Sequence, residues 1–162
     1  MLVPAILYKQ EIEMRFQQQF YTDDMMYEQG YLGSNAPEIN DSTDGNEYQY
    51  AILDSNNQLI GYLSYTIDWY SSSAYSFTLF SFDKGNVTIG RSLFEELNKL
   101  LTEYKIHRIE WRAVEGNPAI RSYDRFCHKY NGRVMELTDV FKDRHGKYRN
   151  IYIYEIINKE VN

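Results

Sequence analysis

The sequence has little cysteine, no long apolar run and few basic residues in its first half. Its single cysteine, Cys127, excludes an internal disulfide framework and a cysteine-based metal cluster, and we expect no metal site. No apolar run approaches the length of a membrane span, and residues 1–7 are too short for a signal peptide and follow no basic residue. These absences predict a cytoplasmic protein with no membrane partner.

Basic residues are scarce in residues 1–84, which hold three of them against twelve acidic residues, whereas residues 85–162 hold fourteen against eleven. The net charge of −6 argues against general nucleic-acid binding, which needs a basic face. The asymmetry fits a protein that holds an anionic ligand with its second half and meets a cationic partner with its first, although plain surface solvation gives the same pattern. The acidic residues that would meet a cation are Asp23, Asp24, Glu28, Glu38, Asp41 and Asp44.

Aromatic residues are abundant, and the chain is long enough for one sizeable core. An aromatic content of 16%, with 16 tyrosines, indicates packed sheet, and 162 residues suit one domain over 1–162. Periodicity predicts a mixed, mostly antiparallel sheet of six to seven strands with helices on both faces, of the α/β (α+β) class. The predicted helices are 8–20, a short second helix over 25–27 that Asp23 or Asp24 would cap, 89–104 and 117–130. The predicted strands are 48–53, 59–69, 74–82, 106–114, 134–141 and 149–157. In the second strand, alternation places Leu59, Leu63, Tyr65, Ile67 and Trp69 on one face.

Residues 75–104 are the most informative stretch, because an apolar strand, a short polar loop and an amphipathic helix follow one another. An apolar stripe runs at helical spacing from Ile89 to Tyr104. The preceding turn, Asp83-Lys84-Gly85-Asn86, has the residues that a strand-to-helix turn favours. Such a turn points backbone N–H groups and the positive end of the helix dipole at one place. The stretch therefore predicts a phosphate-binding site, with an ordinary strand–loop–helix connection as the alternative.

The order of elements and two local motifs resemble the GCN5-related N-acetyltransferases, over nearly the whole chain from about residue 8 to 157. In that family the central loop reads Arg or Gln, two residues, Gly, one residue, and Gly or Ala. Here Gly90 matches, while Gly85 and Thr88 stand where the Arg or Gln and the first Gly are expected. The second motif is closer: a strand, then Asn117, then a helix with Ala-Ile-Arg-Ser-Tyr123, with the Asn-to-Tyr interval one residue shorter than in the family.

The resemblance implies that the fourth and fifth strands splay apart and hold acetyl-CoA as the co-substrate. The pantetheine arm would pair with backbone near Leu79 and Phe80, and Asn117 would hydrogen-bond that arm or only cap the helix. The pyrophosphate would lie on the backbone N–H groups at the start of the helix, where Arg91 would also screen a phosphate charge. The residues implied there are Asn86, Val87, Thr88, Ile89, Gly90 and Arg91.

The implied reaction is direct transfer of acetyl from the thioester to a primary amine, which needs a base for the amine and an acid for the thiolate. Tyr123 stands where the family has its tyrosine acid, with a plain core tyrosine as the alternative. Glu110 is the candidate base acting through water, and a salt bridge with Arg108 or Arg112 is its structural alternative. The expected acceptor is a cationic amine of a small molecule or a protein, and a homodimer is left open. A non-catalytic module that binds coenzyme A or a partner on the same fold is the competing function, and an α/β domain unrelated to acetyl transfer is a third interpretation.

Overall fold

The computed structural model describes residues 1–20, 22, 25, 27, 37–40 and 45–159. In these ranges the chain forms seven strands, three α-helices and one 3-10 helix (Ala5–Tyr8). The helices are α1 (Lys9–Gln19), α2 (Val87–Thr102) and α3 (Ile120–Lys129). The strands are β1 (Leu2–Pro4), β2 (Glu47–Leu53), β3 (Leu59–Asp68), β4 (Ser73–Ser81), β5 (Arg108–Val114), β6 (Arg133–Lys142) and β7 (Tyr148–Ile157).

The seven strands make one sheet in the order β1-β2-β3-β4-β5-β7-β6. Every neighbouring pair is antiparallel except β4 and β5, which are parallel. The β5–β7 ladder runs the full length of β5, from Arg108 opposite Ile157 to Val114 opposite Ile151. The predicted mixed, mostly antiparallel sheet is confirmed, and β1 is a strand that the sequence analysis did not assign.

The strands β4 and β5 pair at only one end. Ser73 lies opposite Arg108 and Ala74 opposite Ile109, after which the two strands share no ladder although both continue. The β3–β4 ladder also shifts register next to this point, and Ser76 has a φ of 55°, a left-handed conformation that is uncommon for a residue other than glycine. This geometry is typical of a β-bulge, which bends its strand. The predicted splay between the fourth and fifth strands is therefore confirmed, and it opens the middle of the sheet.

Helices cover both faces of the sheet, as predicted. On one face α2 and α3 bury residues such as Leu97 and Tyr123 against Trp111. On the other face α1 packs on the first strands through Ile12 and Phe16. The gap between β4 and β5 is bordered by α2 and α3 and also by side chains from the opposite face of β5.

Two predictions about residue placement are wrong. Leu59 and Leu63 do not share one face of β3: Leu59 packs in the cluster under α1, and Leu63 packs in the cluster under α2. Strict alternation fails between them because the β2–β3 ladder shifts register between Ile52 and Leu53. Tyr104 follows the end of α2 and is exposed, so it is not part of the buried stripe. Each error comes from extending a regular period past an irregularity or past the end of an element.

Candidate functional site

A cavity of about 530 Å³ opens where β4 and β5 separate. Strand β4 lines it with Phe77 and Leu79, β5 with Trp111, and α3 with Tyr123. This volume lies in the range of small-molecule sites, which are mostly apolar with a few polar groups. Continuous pairing of β4 with β5, which would have favoured the third interpretation of the sequence, is not observed.

The backbone of β4 faces the cavity without a strand partner beyond Ala74 on the β5 side. The side chain of Leu79 lines the cavity, whereas that of Phe80 is buried on the opposite face, under α1. An extended backbone edge of this kind can pair with the amide groups of an extended ligand, as sheet edges do with peptides. The edge therefore suits a long, amide-containing molecule.

The N-terminus of α2 contributes to the wall of the cavity. Asn86 caps it, because its Oδ1 accepts a hydrogen bond from the Thr88 N–H at 3.0 Å, and its Nδ2 donates to an Asp83 carboxylate oxygen at 2.8 Å. Lys84 and Gly90 line the cavity beside this cap. The helix terminus and Lys84 favour an anion, while the Asp83 carboxylate opposes one.

Most of the residues predicted for the site line this one cavity. Those that do are Leu79, Asn86, Ile89, Gly90, Glu110, Asn117 and Tyr123. Phe80, Val87, Thr88 and Arg91 are not among its lining residues, and Arg91 lies instead in a groove between α2 and α3 together with Arg125 and Lys129. Their binding roles stay predictions.

Tyr123 is buried, and its ring lies among other aromatic rings at the inner wall of the cavity. The ring centroids of Phe94 and Trp111 are each 6.1 Å away, and that of Tyr154 is 5.6 Å away. Burial raises the pKa of Tyr123 to about 12, so the phenol keeps its proton at neutral pH. Tyr123 is therefore both a core residue and a wall of the cavity, and its role as an acid stays a prediction.

Glu110 belongs to a chain of ion pairs on the face of β5 that points away from α2 and α3. Its carboxylate accepts hydrogen bonds from Arg112 Nη2 at 3.1 Å and from Arg108. The Arg108 Nε also donates to Glu155 at 2.7 Å, and Arg133 donates to the other oxygen of Glu155. Burial opposes ionisation of Glu155, but the guanidiniums of Arg133 and Arg108 outweigh it, so the pKa of Glu155 lies below its usual value. The salt bridge considered for Glu110 is thus observed with both arginines, while its role as a base stays a prediction.

Asn117 makes two hydrogen bonds within the protein. Its Oδ1 accepts from the Ala119 N–H at 2.8 Å, and its Nδ2 donates to the backbone oxygen of Tyr27 at 3.0 Å. Gly116, at a φ of 89°, lies so close to the Tyr27 ring that a Cβ would stand 3.0 Å from the Tyr27 hydroxyl oxygen. Asn117 was considered as a cap of this helix, but the N-cap of α3 is Ala119 and carries no side-chain cap hydrogen bond. The Asn117 side chain instead holds the turn before α3 and contacts Tyr27 at the cavity wall.

Several cavity residues were missed by sequence reasoning. The contact of Trp111 with the cavity depends on the splay between β4 and β5, for which Trp111 itself carries no signal. Ser76 gave no signal, because a bulge in β4 is set by pairing with β3. Lys84 did carry a signal, since a cation in a phosphate-binding turn is the expected chemistry. Tyr27 gave no signal, because its contacts with Asn117 and Gly116 join segments that are distant in the sequence.

Most of the acidic residues expected to meet a cation lie outside the described residues. Glu38 is described, and its backbone oxygen accepts a hydrogen bond from the Gln49 side chain at 2.7 Å. Within the described ranges, no three His, Cys, Asp or Glu side chains are grouped so as to hold a metal ion. No helix in those ranges is long and apolar enough to cross a membrane. The acidic residues outside them are Asp23, Asp24, Glu28, Asp41 and Asp44.

Solved structures similar to this chain are spermidine N-acetyltransferases. The spermidine/spermine N-acetyltransferase of Vibrio cholerae, in complex with manganese ions, superposes with a TM-score of 0.59 at 20% identity, over 73% of this chain and 69% of that one. A chimera of the Vibrio cholerae enzyme and hSSAT gives a TM-score of 0.60 at 17% identity, over 91% of each chain. A dodecameric form of the Vibrio cholerae enzyme gives 0.59 at 21% identity, over 74% of this chain and 70% of that one.

The likeness is one of fold. No family model matches the chain, and no curated protein matches it in sequence. At identities of 17–21% the superpositions establish the architecture only. The chain has the fold of the GCN5-related N-acetyltransferases, as its sequence predicted.

Proposed function

We propose that this protein is an acetyl-CoA-dependent N-acetyltransferase, which moves an acetyl group from the thioester to a primary amine by direct attack. The observation that carries the proposal is the cavity between β4 and β5, where an unpaired backbone edge, a helix N-terminus and a buried tyrosine meet. The structurally similar proteins are N-acetyltransferases, which supports the same activity.

Acetyl-CoA fits the chemistry of the residues present. The pantetheine arm would pair its amides with the open edge of β4 near Leu79 and Phe80, and the thioester would then lie toward Tyr123. The pyrophosphate would lie at the start of α2, beside Gly90 and Lys84. Arg91, in the groove it shares with two other basic residues, would face the remaining phosphate.

The chemical step needs one bond to form and one to break. The neutral amine nitrogen attacks the thioester carbonyl carbon, and the C–S bond then breaks. Tyr123 gives its phenolic proton to the departing sulfur, for which a pKa raised to about 12 keeps it protonated. Glu110 takes the amine proton through water, which its position at the cavity wall allows.

The acceptor is a primary amine of a small molecule or of a protein. Two observations support a cationic acceptor. One is the set of acidic residues in the first half of the sequence, of which only Glu38 lies in the described ranges. The other is that the structurally similar proteins are named as spermidine N-acetyltransferases. A cytoplasmic location and a homodimer stay predictions, and one of the similar structures is a dodecamer.

Titration with acetyl-CoA by calorimetry tests the proposal first, followed by thiol release over a panel of amines. We expect saturable binding and amine-dependent release of coenzyme A. No heat of binding at millimolar cofactor would contradict the proposal. Binding of acetyl-CoA without release of coenzyme A in the presence of any amine would favour the non-catalytic module. Two observations support that alternative: the loop departs from the family motif at Gly85 and Thr88, and the Asp83 carboxylate lies beside the helix terminus.

A further inference from the structure

The cavity has walls from both faces of the sheet. On β5, Ile109 and Trp111 are buried in the cluster under α2 and α3. Glu110 and Arg112 alternate with them along the strand and therefore lie on the opposite face. Trp111 lines the cavity from the first face, and Glu110 and Arg112 line it from the second. The cavity therefore passes through the sheet where β4 and β5 separate.

Tyr75 on β4 also belongs to the face opposite α2 and α3. Ala74 lies in the cluster under α2, so Tyr75, the next residue of the strand, points the other way. Its partner on β3 is Thr66, whose neighbours Tyr65 and Ile67 both lie in that cluster, which gives Tyr75 the same orientation. Tyr75 lines the cavity and is 38% exposed.

Tyr75 and Glu110 flank the narrow end of the gap. The last pair of the β4–β5 ladder is Ala74 with Ile109, so Tyr75 and Glu110 are the next residues of the two strands. Paired strands lie about 4.8 Å apart, and these two side chains therefore start out as neighbours on one face. Together with Arg112 they form the far mouth of the cavity. An acceptor amine that gives its proton to Glu110 through water would lie beside the Tyr75 ring.

The carboxylate of the far mouth is already engaged. Glu110 is the one acidic side chain among the described residues that line the cavity, and it is 16% exposed. Its Oε1 accepts a hydrogen bond from Arg112 Nη2 at 3.1 Å, and its Oε2 accepts one from Arg108. The second ammonium group of a polyamine would have to displace a guanidinium in order to pair there, or would lose its hydration without a partner. The far mouth therefore does not favour a second positive charge.

Aromatic rings line the cavity at and beside the far mouth. Besides Tyr75, Tyr27 lines it at the C-terminal end of β5. The polar side chain next to Tyr27, that of Asn117, bonds at both of its ends, to the Ala119 N–H and to the Tyr27 backbone oxygen. An aromatic ring that stacks on a tyrosine is stabilised beyond the apolar area that it buries. The body of a ligand that best suits this wall is therefore apolar and aromatic.

We propose that the acceptor is a primary amine joined by a short chain to an aromatic ring, and that this ring stacks on Tyr75 at the far mouth. The proposal rests on the proposed acetyl transfer and goes further by naming the class of the acceptor. Such an amine carries one positive charge in solution, whereas a polyamine carries two or more. The two classes of cationic acceptor are therefore separable by experiment.

Three amines of similar reach test the proposal: phenethylamine, cyclohexylethylamine and diaminobutane. Their turnover is measured by thiol release from acetyl-CoA, and their affinity by calorimetry on the full chain in the presence of coenzyme A. We expect phenethylamine to exceed cyclohexylethylamine by about two- to tenfold in kcat/KM and in affinity, because the cyclohexyl group has no aromatic face. Diaminobutane should be weaker than phenethylamine by about tenfold or more.

Three variants locate the effect. Tyr75→Leu keeps an apolar side chain and removes the ring, so the ratio of phenethylamine to cyclohexylethylamine should fall to about one. Tyr75→Phe keeps the ring, and the ratio should persist. Tyr148→Leu is the matched control, because Tyr148 is an exposed tyrosine of β7 that is not among the lining residues, and the ratio should again persist. A merely structural role of Tyr75 would lower kcat/KM of Tyr75→Leu for all three amines by the same factor, which would overturn the proposal.

The remaining outcomes separate this proposal from the proposed activity. Diaminobutane that binds or reacts as well as phenethylamine would overturn the aromatic acceptor and leave acetyl transfer standing. Equal affinities for phenethylamine and cyclohexylethylamine, a preference that survives Tyr75→Leu, or no binding by any of the three amines would also overturn it. Binding of phenethylamine that depends on the Tyr75 ring, without release of coenzyme A, would sustain the aromatic site and refute the enzyme.

Discussion

At Gly90, replacement by alanine should raise the stability of the protein and replacement by glutamate should lower its affinity for acetyl-CoA, and the second effect locates the phosphates. Gly90 lies within α2 and lines the cavity, and a Cβ there would meet no atom within 4 Å apart from the neighbouring backbone of its own helix. Alanine relieves the entropic penalty of a helical glycine, about 1 kcal/mol. For a chain of this length that corresponds to a rise in Tm of about 2–4 °C.

The affinity of Gly90→Glu for acetyl-CoA should fall because the open space beside Gly90 is where the pyrophosphate is proposed to lie. Gly90→Glu adds a negative charge, and at a separation of about 5 Å the repulsion from one phosphate charge is about 3 kcal/mol at an effective dielectric constant of about 20. We therefore expect Gly90→Glu to weaken acetyl-CoA binding by about a hundredfold or more.

Thr102→Glu is the matched control for the added charge. Thr102 is exposed at the end of the same helix, about 18 Å along its axis from Gly90. That separation exceeds the Debye length of about 10 Å at about 0.1 M salt, so affinity should change by less than about twofold. Calorimetry gives both affinities and thermal melting gives the stabilities.

Two results would refute this reasoning. An unchanged affinity of Gly90→Glu for acetyl-CoA would mean that the phosphates do not bind at the start of α2. A lower Tm of Gly90→Ala would mean either that Gly90 is not helical or that the site has no room for a methyl group.

Tyr123→Phe should lower kcat by about a hundredfold and change the Kd for acetyl-CoA by less than about twofold, since only the proton donor is lost; an unchanged kcat would remove Tyr123 from the mechanism. Because the pKa of Tyr123 is about 12, the wild-type rate should rise with pH as the amine loses its proton, and a fall near pH 10 that Tyr123→Phe abolishes would contradict this assignment. Glu155→Gln should destabilise the fold at pH 7 by about 1–3 kcal/mol in urea unfolding. Folding lowers the pKa of Glu155, so its ionised carboxylate stabilises the fold fully at a pH above the unfolded-state pKa, and this stabilisation is lost as the pH falls through the folded-state pKa. The difference in free energy of unfolding between Glu155→Gln and the wild type should therefore shrink below about pH 4. A difference that persists at that pH would contradict an ionic origin of the stabilisation.

Local regularities made much of the fold predictable. The stripe that begins at Ile89 and the polar turn before it identified α2 and its N-terminus, because amphipathic periodicity and capping depend on residues a few positions apart. Alternation along β5 likewise places Trp111 and Glu110 on opposite faces, of which that of Trp111 is buried. The acetyltransferase-like fold followed from the order of these elements.

Contacts between distant segments decided the site. From the sequence, Glu110 was a candidate base or the partner of a neighbouring arginine. Nothing in the sequence linked Glu110 to Glu155, because the arginine that joins them, Arg108, is 47 residues from Glu155 along the chain. Only the pairing of β5 with β7 places Glu155 beside that chain of charges, and only the loss of pairing between β4 and β5 opens the cavity beside them. Strand register and splay depend on long-range pairing and on a bulge at Ser76, for which no local sequence period exists. Only the tertiary structure therefore places Glu110 and Arg112 together at the wall of the cavity.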